Sequence, residues 1–341
     1  MKTGPCFRPV LMALSVIFAG HLSCEAQLFR KKTKEAAPSE QTALAPGQFE
    51  WHPERSPSGP LLIVVSIDDQ VAYVYRNAVL IARSTVSTGA PGHDTPTGVF
   101  TILQKNQDHE SSIYKGAKMP NMQRLTWSGI AMHAGELPGY PASHGCVRLP
   151  MEFSAKLFGI TEMGGTVVVT KKAAAPSASS KPATILLSSN VEPGSRPAAQ
   201  FLGKTMWDPK RSPEGPVNFL LSGQDRTLYV YRNGVLIGQS PVHIERPDLP
   251  IPAGVFLMLE GVEKGVMNLV RGKPARPWTT LALDGGSHGN AVQELRSRLQ
   301  IPDEFGKLIY ELAQPGTILL TTPEASTPET RSAAGFTIMR P

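Results

Sequence analysis

The chain has 341 residues, of which 41% are hydrophobic, and its formal net charge is +6. This length and apolar content predict about two domains with real hydrophobic cores. The positive charge favours anionic partners such as wall polymers or lipid head groups, but no basic and aromatic array accompanies it, which argues against a nucleic-acid partner.

The first 26 residues predict a secretory signal peptide. Two basic residues precede the apolar stretch 9–20, and small residues ending in Ala26 follow it. This stretch is shorter than the about 20 residues that a membrane-spanning helix needs. Cys24 offers a lipid-anchored alternative, although residues 21–23 before it match such processing poorly. Both alternatives predict an exported protein, located in the periplasm or cell wall.

Composition divides the rest of the chain into linkers and domains. Segments that mix charge with Ala, Pro and Ser and lack an apolar period are typical of flexible linkers. The sequence predicts a linker at 27–50, a domain at 51–171, a linker at 172–200, a second domain at 201–322 and a loose tail at 323–341.

The two predicted domains resemble each other. Residues 51–100 and 207–256 align at a constant offset of 156, with 24 identical positions of 50. Self-similarity of this kind predicts an internal duplication. Two copies are too few for a solenoid and therefore indicate two similar domains.

The predicted elements of the first copy are mostly strands. Apolar runs and β-forming residues predict strands at Leu61–Ile67, Val71–Arg76, Val79–Val86, Val99–Leu103, Trp127–His133 and Thr166–Thr170. Asn233-Gly234 is a two-residue hairpin signal and predicts the same turn at Asn77 of the first copy. Only Met151–Gly159 has a helical apolar stripe. The fold class is therefore mainly β, with sandwich or barrel domains.

Cys146 is the cysteine that remains once the predicted signal peptide is removed. An unpaired cysteine in an exported protein suggests a reactive thiol or an intermolecular disulfide. His133 ends an apolar strand, and a Gly- and Pro-rich loop can return Cys146 to it. A thiol needs a base to form the nucleophilic thiolate, and His133 is the candidate general base and acid.

The neighbours of Cys146 suggest further roles. Gly145 allows a sharp turn, so that backbone N–H groups near it could bind an oxyanion. His144 is expected to hold the loop or to donate to the same oxygen, and Arg148 to meet a substrate carboxylate. Ser143 and Tyr140 are the other predicted substrate contacts.

Two other interpretations of these residues stay open. A lone cysteine is often a buried hydrophobic residue without chemistry. His133, His144 and Cys146 are all zinc-ligand types, but no Cys-x-x-Cys or His-x-x-x-His spacing accompanies them, so no metal is predicted.

Three segments resemble the L,D-transpeptidase family, also called the YkuD domain: DTPTGVF (94–100), IAMHAG (130–135) and SHGCVRL (143–149). The resemblance covers about residues 60–171. It implies that Cys146 is the nucleophile and His133 the general base, that His144 and Gly145 shape the site, and that Arg148 is the arginine after the cysteine. The stretch from His133 to Ser143 is shorter than in the mycobacterial members. The resemblance therefore does not predict whether a lid forms between these two residues.

The resemblance implies acyl transfer on peptidoglycan without a cofactor. Cys146 would attack the carbonyl of the diamino acid at position three of a stem peptide, release the terminal D-alanine and form a thioester. An amine of another stem peptide would then give a 3-3 cross-link, and a protein lysine would give a wall-anchored protein. Carbapenems are expected to inhibit by acylating the cysteine.

The second copy lacks these groups in the aligned sequence. Asp284 takes the place of His133, and Ser287-His288-Gly289-Asn290 echoes Ser-His-Gly-Cys with asparagine at the thiol position. This copy is therefore expected to be degenerate and catalytically silent. It would bind glycan or peptide, pack on the first domain, or persist only as a scaffold.

Two alternative functions remain for the whole protein. The same fold could act as an L,D-carboxypeptidase or as a hydrolase that cuts a protein from the wall. The protein could also be a non-catalytic wall-binding protein built from two YkuD-like folds.

Overall fold

The computed structural model describes residues 43–114, 116–171, 201–262, 273–281 and 291–326. Strands make up 41% of the described residues and helices 13%, so the fold is mainly β, as the sequence predicts. We call residues 43–171 the N-terminal half and residues 201–326 the C-terminal half. The predicted signal peptide and the linker at 172–200 lie outside the described residues.

The N-terminal half contains ten strands and one α-helix among its described residues. They are β1 (Phe49–Trp51), β2 (Leu61–Ser66), β3 (Val71–Arg76), β4 (Val79–Thr85), β5 (Gly98–Thr101), β6 (Gln104–Glu110), β7 (Lys118–Arg124), β8 (Ala131–Ala134), β9 (Val147–Leu149), α1 (Met151–Ile160) and β10 (Thr166–Thr170). A six-stranded sheet has the order β1-β4-β3-β2-β10-β5, and a four-stranded sheet has the order β6-β7-β8-β9. The predicted strands around 61–86 and at 166–170 and the predicted helix are confirmed.

Sequence and structure differ at three places in this half. The hairpin of β6 and β7 was not predicted, because its strands are largely polar and show no apolar alternation. The strand predicted from Trp127 begins only at Ala131, since Gly129 N–H donates to Thr126 O in a turn. β1 begins inside the segment expected to be a linker and pairs with β4.

The described residues of the C-terminal half repeat the six-stranded sheet of this plan. Its elements are β11 (Met206–Trp207), β12 (Val217–Ser222), β13 (Thr227–Arg232), β14 (Val235–Pro241), β15 (His243–Ile244), β16 (Gly254–Met258), β17 (Trp278–Leu281), α2 (Ala291–Arg298), β18 (Leu299–Gln300), α3 (Asp303–Leu312) and β19 (Ile318–Thr322). The main sheet has the order β11-β14-β13-β12-β19-β16-β17, which matches the six-stranded sheet strand for strand apart from the added β17. No helix of the described residues has the length and apolar character needed to cross a bilayer.

The turn between β3 and β4 confirms the predicted hairpin. Asn77 and Ala78 both have positive φ, at 48° and 65°, and Asn233 and Gly234 have 48° and 76°. Positive φ at both central residues defines the type I′ turn that suits a two-residue hairpin. The N-terminal half therefore makes with alanine a turn that the C-terminal half makes with glycine.

The six-stranded sheet is buried on both faces. Ile63 and Val65 of β2 point into a core that contains Phe153 of α1. The alternate residues Leu62 and Val64 pack instead against residues of the C-terminal half. This double burial explains why β2 reads as a continuous apolar run rather than an alternating one.

The two halves contact each other reciprocally. A Cβ built on Gly164 would lie 3.0 Å from Pro216 Cγ, and one built on Gly316 would lie 3.6 Å from Pro60 Cβ. Gly164 and Gly316 precede β10 and β19, and the two prolines precede β2 and β12. Contacts of residue i with j and of their counterparts in reverse are the mark of a two-fold arrangement. The halves therefore pack as a pseudo-symmetric pair within one chain.

Candidate active site

The site forms where β8 and β9 run parallel. Met132 pairs with Val147, and His133 pairs with Arg148. Side chains alternate along a strand, so Met132 and Val147 enter the core while His133, Cys146 and Arg148 face the opposite side. These three side chains line one cavity of about 540 Å³.

The cavity gathers most of the predicted site residues. Cys146, His133, His144, Ser143 and Arg148 all line it. Gly145 is buried behind them. Tyr140 does not line the cavity, because it lies in the loop before Ser143 with 61% of its surface exposed. The contact of Tyr140 with substrate stays a prediction.

Cys146 is a free, partly buried thiol. Burial raises the pKa of this thiol, while a hydrogen bond from the backbone of Ala131 and the positive charges of Arg148 and Arg124 act in the opposite direction. The Sγ atom lies 3.6 Å from Gly129 O, in position to donate its proton there. The neutral thiol is thus the resting form, and a nearby base is needed to ionise it.

His133 has the arrangement of a neutral base. Its Nδ1 lies 2.8 Å from Ala134 O. A carbonyl oxygen only accepts, so Nδ1 carries the proton and the lone pair of the neutral ring is on Nε2. Burial lowers the pKa of His133, the hydrogen bond to Ala134 raises it, and the charges of Arg148 and His109 lower it further. The ring is therefore neutral at pH 7 and can accept a proton at Nε2.

Ser143 and Gly145 set the turn that presents Cys146. The Ser143 hydroxyl accepts from Gly145 N–H at 3.1 Å and donates to Cys146 O at 2.5 Å. Gly145 has a φ of +104°, and a Cβ there would lie 2.7 Å from Ile130 Cδ1. Glycine is required at this position. Gly145 N–H is engaged by Ser143. The expected role of backbone N–H groups near Gly145 and Cys146 in binding an oxyanion stays a prediction.

The His144 ring, which lines the cavity with Tyr114, packs against two other aromatic rings. The exposed His144 ring lies 4.6 Å from the ring of His93 and 4.8 Å from that of Tyr114. Tyr114 belongs to the loop between β6 and β7, so the hairpin that sequence reasoning missed supplies one wall of the site. The strands of this hairpin are polar and lack the apolar periodicity from which a hairpin could have been predicted.

Positive charge dominates the ionisable side chains of the cavity wall. Lys118 and Arg148 line the cavity together with one carboxylate, Glu136. The Arg148 side chain lies across Gly135, where a Cβ would be 3.0 Å from its Cδ. This arrangement favours a substrate that carries a carboxylate. Within the described part of the chain, no cluster of three His, Cys, Asp or Glu side chains suits a metal ion.

A different residue stands at the corresponding place in the C-terminal half. The pairing of His243 with Gln300 repeats the bridge between Ser87 and Arg148. Counting back two residues from Gln300 gives Arg298, as counting back from Arg148 gives Cys146. The strand register therefore assigns the thiol position to Arg298 and not to Asn290, which the sequence comparison favoured. Residues 282–290, with Asp284 and Ser287-His288-Gly289-Asn290, lie outside the described residues.

Arg298 fills its position completely. The residue is 1% exposed. Its guanidinium and Nε donate to the backbone carbonyls of Glu245, Arg246, Leu249 and Pro250 and to the Glu294 carboxylate. The corresponding segment of the N-terminal half also lies near the thiol position, since a Cβ on Gly145 would be 3.7 Å from His93 O and Asp94 O. An arginine that neutralises five acceptors is a structural element, with no nucleophile at this position.

A comparison with protein families finds a match within the N-terminal half. Residues 60–169 match the YkuD family, the L,D-transpeptidase catalytic domain. This match spans most of the described N-terminal half, including β8, β9 and the cavity. A comparison of the whole chain with curated proteins finds no match.

Solved structures that resemble the chain are L,D-transpeptidases. One from Mycobacterium smegmatis is 22% identical with a TM-score of 0.31, covering 33% of this chain and 59% of its own. One from Stackebrandtia nassauensis is 28% identical with a TM-score of 0.30, covering 33% and 56%. L,D-transpeptidase 3 from Mycobacterium tuberculosis, in complex with a faropenem-derived adduct, is 22% identical with a TM-score of 0.31, covering 33% and 60%. The chain thus spans less than two thirds of the length of each of these proteins.

Proposed function

We propose that the N-terminal half is an exported cysteine L,D-transpeptidase that acts on peptidoglycan stem peptides. The observation that carries this proposal is the pair of Cys146 and His133 on one face of neighbouring parallel strands, lining the same cavity. The hydrogen bond from His133 Nδ1 to Ala134 O supports it, because it leaves Nε2 as the proton acceptor.

In the proposed acylation step, Cys146 attacks the carbonyl of the diamino acid at position three of a stem peptide. The thiol proton passes to His133 Nε2, and the carbonyl oxygen becomes an oxyanion. The Cys146 N–H is the proposed donor to this oxygen, since Gly145 N–H is engaged by Ser143. The intermediate collapses to a thioester, and D-alanine leaves with the proton from His133.

In the second step, an acceptor amine attacks the thioester. His133 takes a proton from the amine, and the Cys146 thiolate leaves and is reprotonated. An amine of a neighbouring stem peptide gives a 3-3 cross-link, and a protein lysine gives a wall-anchored protein. Arg148 and Lys118 would hold substrate carboxylates at the cavity wall.

The C-terminal half is proposed to be a degenerate YkuD-like copy that arose by duplication. Its sheet order and its matching hairpin turn support a common origin. The buried Arg298 at the thiol position supports its catalytic silence. Its contact with the six-stranded sheet supports a role as a packing partner of the catalytic half.

Export through the signal peptide at 1–26, or a lipid anchor at Cys24, is part of the proposal and is tested by localising the full-length protein. Activity is tested by incubating the purified protein with defined tetrapeptide muropeptides and identifying the products by mass. Amine-dependent dimers and released D-alanine support transpeptidation. Products of hydrolysis alone support an L,D-carboxypeptidase or wall-protein hydrolase. Binding to the wall without any turnover by the wild-type protein supports a non-catalytic wall-binding protein.

A further inference from the structure

Thr95 is a buried threonine whose hydroxyl joins two loops beneath the site. It is 4% exposed. Its Oγ1 accepts from Gly89 N–H at 2.8 Å and donates to Gly145 O at 2.9 Å. Both bonds are made in a buried environment, where a hydroxyl without partners would be costly.

The bond to Gly145 O determines the direction of the next N–H group. Gly145 O and Cys146 N–H belong to one planar peptide unit, in which the two groups of a trans bond point in opposite directions. With Gly145 O held toward Thr95, the Cys146 N–H points away from Thr95. Gly145 itself has a φ of +104° and so cannot rely on an ordinary backbone minimum to hold this plane.

The loop that carries Thr95 is itself held firmly against the segment before Cys146. A Cβ on Gly89 would lie 2.0 Å from His93 O, so glycine permits the close return of the chain to Thr95. Ala90 N–H donates to Ser143 O at 2.9 Å. The loop therefore fixes the position of the Thr95 hydroxyl that binds Gly145 O.

The C-terminal half supplies an internal comparison. Ile251 stands three residues before Gly254 of β16, as Thr95 stands three residues before Gly98 of β5. Ile251 is buried in the apolar core and offers no hydroxyl. There the corresponding loop is held by the Arg298 guanidinium instead. The half without the thiol therefore forms the same fold with an isoleucine at this position. The fold itself does not require the hydroxyl of Thr95.

We infer that Thr95 is a positioning residue: its hydroxyl orients the Gly145–Cys146 peptide so that the Cys146 N–H is aimed at the oxyanion formed during acylation. The inference rests on the proposed function in taking Cys146 as the nucleophile. It adds a residue that touches neither substrate nor reacting atoms and acts through the backbone.

The test compares two reactions of the Cys146 thiol in the full chain. Acetylation by p-nitrophenyl acetate passes through an oxyanion and releases p-nitrophenolate and a proton, whereas alkylation by iodoacetamide displaces iodide without an oxyanion. Thr95→Val is expected to slow acetylation by about 10- to 100-fold, part of the loss caused by removing an oxyanion donor. Alkylation is expected to stay within about threefold of wild type, because the thiol and His133 are unchanged.

Conservative rescue and a matched control complete the design. Thr95→Ser keeps the hydroxyl and is expected to acetylate within about threefold of wild type. Thr161→Val removes another buried hydroxyl, which follows the end of α1 and donates to Gln123 Oε1 at 2.8 Å. Neither residue lines the cavity, so the ratio of the two rates is expected to stay unchanged. If Thr95→Val lacks a cooperative thermal transition, Thr95→Ala takes its place.

Equal acetylation by wild type and Thr95→Val overturns the inference, as does a parallel fall of both rates or a serine variant as slow as the valine variant. With tetrapeptide substrate, kcat should fall with the acetylation rate while KM changes by less than about twofold. A wild-type protein that acetylates but makes no muropeptide product refutes the proposed function and leaves the role of Thr95 to be decided by the rate ratio.

Discussion

The two halves of the molecule share a sheet order and a hairpin turn but differ at the residue before the short strand that precedes α1 or α3. The N-terminal half has Cys146 there, facing a cavity, and the C-terminal half has Arg298, buried among backbone carbonyls. What both halves keep belongs to the fold. What only the N-terminal half has, namely the thiol, His133 and Thr95, belongs to the site.

The largest expected effect comes from removing the thiol. Cys146→Ala should lower muropeptide turnover by at least about 1000-fold, because the Cys146 thiol is the group that attacks the substrate carbonyl in the proposed mechanism. The melting temperature should stay close to that of the wild type. Turnover is measured by product mass. A Cys146→Ala variant with wild-type activity would show that the thiol does not distinguish the N-terminal half from the C-terminal half in catalysis.

His133 should be nearly as important and should determine the acid side of the pH profile. His133→Gln is expected to lose about 100- to 10,000-fold in kcat/KM. In the wild type, kcat/KM should stay high as pH falls through 6.5 and decline only below it, since burial lowers the pKa of His133 from 6.5. If kcat/KM already declines above pH 6.5 as the pH is lowered, the buried neutral imidazole is contradicted.

The same shift has a consequence for stability. The folded state binds the His133 proton less readily than the unfolded chain does, so the unfolded chain takes up more protons as pH falls below 6.5. This contribution therefore favours unfolding at acid pH and is absent above the unfolded pKa. The loss of stability between pH 7 and 5 should be smaller in His133→Gln, measured by chemical denaturation.

Arg298→Met tests the other half. It should lower the free energy of unfolding by about 2–5 kcal/mol, because several buried carbonyls and the Glu294 carboxylate lose their donor. Arg211→Met, at an exposed arginine of the same half, should change stability by less than about 0.5 kcal/mol. Activity of the folded variant should match the wild type. Equal stability of both variants would show that Arg298 is dispensable.

The smallest expected effect lies in the hairpin turns. Ala78→Gly should raise the free energy of unfolding by about 0.5 kcal/mol, because alanine is strained at a φ of 65°. Gly234→Ala should lower it by about 0.5–1 kcal/mol for the same reason. Denaturant titration of both variants checks the pair, and changes of the same sign would contradict the shared turn.

Much of the fold was accessible from the sequence. The continuous apolar runs of β2 and β10 predicted buried strands, and the stripe at 151–159 predicted α1. The runs did not reveal which surface covers the outer face of the sheet, because hydrophobic burial carries no information about its partner. The polar hairpin of β6 and β7 was missed for lack of any periodic signal.

The sequence predicted the chemical groups of the site but not the hydrogen bonds that hold them in place. The spacing of His133, Cys146 and Arg148 pointed to one location, and all three residues line one cavity. The engagement of Gly145 N–H by Ser143 and the bond from Thr95 depend on loop geometry that residue types alone do not specify. The register that identifies Arg298 was hidden because the two halves differ in length between their matching strands.

The most direct test of the central claim is the mass of the protein after brief incubation with a tetrapeptide stem. We expect an adduct equal to the acyl tripeptide, located on the peptide that contains Cys146, cleaved by hydroxylamine as a thioester is, and lost when an amine acceptor is added. Product formation without such an adduct, or an adduct on any other residue, would contradict Cys146 as the nucleophile.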